Sequence, residues 1–153
     1  MNYRFIKYFL ALTVPFLAYF SFNGTGIITY APMIEAFLAI PLLELFFKPN
    51  SNNLNEAEEE MAKEDKSYDI VLYLLVPIIF FLLWEFLLSM RENISLFDKI
   101  GRILSMGLIC GGFGINVAHE LGHRNNKLEQ FLSKTLLLSS LYMHFFIEHN
   151  RGH

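Results

Sequence analysis

The sequence predicts an all-α membrane protein: a helical bundle of about four transmembrane helices, with a further helix that lies at the interface or dips in and returns. Three observations predict it. Hydrophobic residues make up 54 % of the 153 residues and Phe alone contributes 16, more apolar bulk than a soluble chain of this size can hide. These residues come in long runs, each near the roughly 20 residues that a helix needs to cross a bilayer. The charged residues, 18 % of the chain, gather mostly between the runs.

The first run, Phe5 to Phe22, follows a basic start, as a signal peptide would. No clean small-x-small cleavage site follows it and more apolar spans do, so it reads as an uncleaved first helix. The second span is Gly26 to Phe47, the third Asp69 to Met90 and the fourth Phe97 to Ala118. Pro15, Pro32, Pro41 and Pro77 fall inside spans, where neighbouring helices shield the freed carbonyls. Lys48 to Ser67, "KPNSNNLNEAEEEMAKEDKS", is the one long polar stretch: a loop, then a short surface helix over Leu54 to Lys66 with a solvated acidic face.

With the N-terminus inside, Arg4, Lys7, Lys48, Lys63, Lys66, Arg124, Lys127 and Lys134 lie on the inner side. Arg91, Lys99 and Arg102 lie on the outer side, which satisfies the positive-inside rule. The fifth apolar run, Phe131 to Ile147, would make about 25 Å of helix. A full crossing would carry "EHNRGH" to the opposite side from "HELGH". Five histidines within His119 to His153 need a common explanation, so the run is expected to stay on one side.

His119 and His123 are four residues apart, which puts both rings on one helix face within reach of one metal ion. His149 and His153 repeat that spacing. His144 is off that face, five residues before His149, but four before Glu148. Glu120 and Glu148 each stand beside a histidine, where a carboxylate can orient an imidazole or join the metal shell. H-E-x-x-H alone is also the signature of a zinc protease, with Glu120 as general base. Arg124 and Arg151 read as side chains reaching the interface. Glu35, Glu44 and Glu85 lie within apolar runs and must face protein or water. The glycines Gly107, Gly111, Gly112 and Gly114 suit close helix packing ahead of His119, with a channel for a slim substrate as the alternative, and the lone Cys110 among them reads as core. A net charge of −3 with no basic tract gives nucleic acid no foothold.

"GINVAHELGHRNNKLEQFLSK" followed by "MHFFIEHNRGH" closely resembles the integral-membrane alkane monooxygenases, or alkane hydroxylases. These belong to the histidine-box group with the membrane fatty acid desaturases and hydroxylases. "IPLLELFF" and the loop after it are similar as well, so the resemblance runs from about Ile40 to His153. It implies a six-helix domain in the bacterial inner membrane, with its histidines on the cytoplasmic side. It implies two non-haem irons that use O2 to hydroxylate the terminal carbon of medium- or long-chain alkanes taken from the lipid bilayer, with electrons from rubredoxin and rubredoxin reductase. His119 and His123 match the first histidine box, His149 and His153 the second, and His144 the histidine that leads the second stretch.

The sequence departs from the family where the second box closes with two adjacent histidines, and the last two spans and third box do not follow. Residues 1–153 are therefore expected to be the N-terminal part of one di-iron monooxygenase domain. The alternatives are a relative acting on fatty acyl or aromatic methyl groups, a non-catalytic membrane protein, and an intramembrane zinc protease.

Overall fold

The structure is a computed structural model, and it describes residues 12–46 and 66–152. The first part of the expected first span, the acidic surface helix before Lys66, and His153 lie outside the described residues. Every described element is helical. We number them α1 (Thr13–Asn23), α2 (Gly26–Phe46), α3 (Lys66–Ser89), α4 (Leu96–Gly122), α5 (Lys127–Ser139) and α6 (His144–Gly152).

Three helices among the described residues are long and apolar enough to cross a bilayer: Gly26–Phe46, Asp69–Ser89 and Leu96–Gly122. At about 1.5 Å per residue the two shorter ones reach about 32 Å, against a hydrocarbon core of about 30 Å. Their outward faces carry Phe37, Leu45, Phe46, Phe81 and Trp84 exposed, as a surface bathed in lipid requires. The chain is thus an all-α membrane bundle, as the composition predicts.

The core is a seam of side chains from α1, α3, α4 and α5: Ala18 and Phe22, Leu75 and Ile79, Ile109 and Leu121, Leu136 and Leu137. Two helices depart from regular winding. In α2 a 3-10 turn (Gly26–Tyr30) comes first and a π turn (Glu35–Ala39) interrupts the middle; in α4 the π turn covers Ile109–Gly114. Pro77 sits inside α3 without ending it.

Close approaches set the helix spacing. A Cβ on Gly101 would lie 2.2 Å from Thr29 Oγ1, so only glycine lets the first turn of α2 cross α4 there. Further along α4, Gly114, Ala118 and Gly122 recur every fourth residue and receive α5. Ser133 Oγ donates to the Ala118 carbonyl at 2.5 Å across that contact. Gly114 therefore serves close packing as expected, whereas Gly107 and Gly111 face open space.

The fifth apolar run is not one helix. α5 is about 20 Å long, too short to cross, and the chain reverses after it. Leu141 adopts the left-handed conformation at φ 53°. The Tyr142 N–H donates to the Leu137 carbonyl at 2.8 Å and the Leu141 N–H to that of Leu138 at 3.0 Å. This is a Schellman ending with leucine where glycine is usual. It turns the chain back along α5 and delivers α6 to the end of α4.

Candidate metal centre

His119 lies in the last turn of α4, and His123 follows that helix as its C-cap residue. The i,i+4 spacing puts their rings on one face, edge to face, with Nε2 atoms 3.0 Å apart. α6 supplies the third ring. His149 Nε2 lies 2.9 Å from that of His119 and 2.9 Å from that of His123. Phe145, one turn before His149, stacks its ring on the imidazole at 5.0 Å between centroids and 12° between planes.

Three imidazole nitrogens thus form a nearly equilateral triangle, the one such group among the described residues that could hold a metal ion. A proton on one Nε2 can point along only one edge of that triangle. A cation seated on it satisfies all three lone pairs. Three imidazole nitrogens converging this closely would hold a single metal ion, zinc or iron alike. Beneath the triangle the walls are Ala118, Gly122, Leu137, Phe145 and Phe146, an apolar floor broken by Ser133.

The other expected site residues fall around this group. His144 opens α6, exposed, with its ring edge-on to Tyr142 at 4.6 Å, and is not one of the three converging rings. Glu148 is exposed on α6 beside His149. Glu120 has a carboxylate oxygen 3.7 Å from Arg124.

Arg124 is not simply an interfacial side chain. Its guanidinium donates to Asp69 at 2.6 Å and to Glu129 at 3.0 Å, joining the start of α3, the end of α4 and the first turn of α5. Glu129 also accepts from the Tyr73 hydroxyl. The Gln130 side chain donates to the Arg124 carbonyl at 2.9 Å. The hydrogen bond to Asp69, seconded by Glu129 against partial desolvation, raises the arginine pKa above its already high ordinary value. Sequence reasoning found the histidines and missed Phe145, Asp69 and Glu129. Phe145 had a signal, its i,i+4 spacing to His149; Asp69 lies 55 residues from Arg124 and gave none.

Comparison with known proteins gives consistent results. The chain is 31 % identical to an alkane 1-monooxygenase of Pseudomonas putida over 96 % of its own length and 38 % of the relative's. With alkane 1-monooxygenase 2 of Pseudomonas aeruginosa the identity is 36 % over 74 % of this chain and 31 % of the relative. With the alkane 1-monooxygenase of Ectopseudomonas oleovorans it is 31 % over 86 % and 33 %. The chain therefore spans between about a third and two fifths of the length of these curated relatives. No family model and no solved structure matches it.

Proposed function

Because this chain belongs to the alkane 1-monooxygenase family, we propose that His119, His123 and His149 hold one iron of a non-haem di-iron centre that hydroxylates the terminal carbon of medium- or long-chain alkanes. The observation that carries this reading is the Nε2 triangle, with edges of 2.9, 2.9 and 3.0 Å. Iron supplies the redox chemistry for O2, which zinc lacks. The net change is R–CH3 plus O2, two electrons and two protons giving R–CH2OH and water.

In this proposal the chain's own residues do three things. The end of α4 and α6 present three imidazoles as ligands. Phe145 fixes the plane of the His149 ring. The apolar floor of Ala118, Leu137 and Phe146 keeps water from beneath the rings. The alkane dissolves in the bilayer and reaches the bundle from there. His144 and His153 would serve the second iron, with Glu120 and Glu148 as carboxylates that tune the centre. Electrons come from rubredoxin and its reductase at the histidine end, which faces the cytoplasm of a bacterial inner membrane. Residues 1–153 form the N-terminal part of a six-helix domain.

The test is made on the protein in membranes supplied with rubredoxin and its reductase. Octane should yield 1-octanol, the protein should carry two irons and negligible zinc, and His119→Ala should abolish both product and iron. Stoichiometric zinc without alkane oxidation would overturn the reading.

A further inference from the structure

Two of the three histidines stand at the C-terminal end of α4. His123 is the C-cap residue, and the hydrogen bonds that close this helix end are long: His123 N–H to the His119 carbonyl at 3.3 Å and Arg124 N–H to the Leu121 carbonyl at 3.4 Å. Helix ends with weak terminal bonds fray. A ligand set, by contrast, must be held to within about 0.5 Å to bind its ion well.

We propose that Arg124 is a positioning residue for the metal centre, its guanidinium gripped by Asp69 and Glu129 so that the end of α4 presents His119 and His123 to His149. The grip has three anchors from outside α4. Asp69 holds one side of the guanidinium from the start of α3 at 2.6 Å, and Glu129 the other from α5 at 3.0 Å. Gln130 holds the Arg124 carbonyl, and so the backbone next to His123, at 2.9 Å. Glu129 is only 8 % exposed, so its carboxylate needs that cation; without it α5 loses its fixed seat at the turn. α5 is also the platform of α6: Lys134 lies 4.5 Å over the Phe146 ring, and Phe146 packs against Gly122. One arginine thus fixes the element bearing two histidines relative to the element on which the third rests. Arg124 acts through the elements it joins, its guanidinium being engaged by carboxylates.

The inference rests on the triangle being a metal site, and the experiment separates the two. Co2+ binding to the full chain in lipid nanodiscs is measured by competition and by its visible absorption, for wild type, His119→Ala, Arg124→Gln, Arg124→Lys, Asp69→Asn and Arg102→Gln. Wild type should bind and His119→Ala should not. Arg124→Gln should weaken binding about 10–100-fold and alter the absorption, as loss of groups that orient ligands does. Arg124→Lys should restore most of the affinity, and Asp69→Asn should lose about 3–10-fold, on the same scale. Arg102→Gln, at the far end of α4, should leave the folded protein's affinity within about twofold of wild type, since it touches no part of the ligand set. If Arg124→Gln does not fold, Asp69→Asn decides. Unchanged affinity and absorption in Arg124→Gln and Asp69→Asn, or an equal loss in Arg102→Gln, overturns the positioning role while leaving the metal site intact. Wild-type affinity in His119→Ala, or no Co2+ site in wild type, overturns the metal reading and this inference with it.

Discussion

Arg102 and Arg124 lie near opposite ends of α4 and hold the chain in different ways. Arg102 is 1 % exposed and spends its donors on the backbone: the Ser89 and Gly24 carbonyls, both at 2.9 Å, with Glu92 at 3.1 Å as its one carboxylate. It ties together the α1–α2 and α3–α4 turns. Arg124 is partly exposed and spends its donors on carboxylates of α3 and α5. A buried cation that satisfies carbonyls fixes loops in one place, and nothing near it needs chemical freedom. A partly exposed cation among three carboxylates joins helix ends beside the three converging histidines. One end of the bundle is built for permanence, the other for placement.

The largest effect should come from the permanent end. Arg102→Gln leaves two carbonyls and a buried cavity without their cation, and changes of that kind cost about 3 kcal/mol or more. Thermal unfolding in bicelles, followed by circular dichroism, should show the loss. A cost equal to that of Arg124→Gln would erase the distinction between the two ends.

Gly101 and Gly122 sharpen it further, one at each end. A methyl on Gly101 meets Thr29 Oγ1 at 2.2 Å and a Tyr30 ring carbon at 2.7 Å, so Gly101→Ala should force α2 off α4 and cost about 1–3 kcal/mol. On Gly122 it meets Ser133 Oγ at 3.0 Å and Phe146 at 3.4 Å. Gly122→Ala should cost less than about 1 kcal/mol, yet shift Phe146 and with it His149. Unfolding midpoints and Co2+ affinity should therefore rank the two variants in opposite order.

Arg124 also differs from a lysine in what pH can do. Asp69, first among its partners, raises the Arg124 pKa, so its stabilisation is present at every pH below the unfolded value and would fade only as pH rose through the still higher folded one. That lies beyond the usable range. Arg124→Lys brings the transition down towards the ordinary lysine value of about 10.4. The unfolding midpoint of that variant should fall as pH rises above about 10 while the wild-type contribution stays flat. Parallel curves would show that the grip of Asp69 and Glu129 adds no stability.

Spans two, three and four were legible in the sequence because each is a long apolar run, and lipid leaves a helix no alternative for its backbone. The histidines were legible because spacing on a helix is geometry. What pairs with what was not. Nothing local ties Asp69 to Arg124, or Arg102 to the Gly24 carbonyl, and the sequence placed Arg102 as one more outer charge when packing buries it. The return of α6 was foreseen only from the need to gather histidines; its turn, "SSLYMH", contains no Gly, Pro or Asn to announce it.

That turn gives the smallest and most favourable effect. Leu141 is 86 % exposed, so its side chain contributes little packing, and its φ of 53° is one that a Cβ makes costly. The two hydrogen bonds that close α5 need only the backbone in that shape, and a residue without a Cβ adopts it freely. Leu141→Gly should therefore stabilise the folded chain by about 1 kcal/mol, the strain relieved less the greater freedom of glycine when unfolded. The gain belongs to the placement end, because this turn sets where α6 returns to α4. Co2+ affinity should hold or rise slightly while the unfolding midpoint rises. A weaker site in a more stable protein would mean that the strain at Leu141 helps to press His149 onto its partners, and that the histidine end is held under tension instead of merely in place.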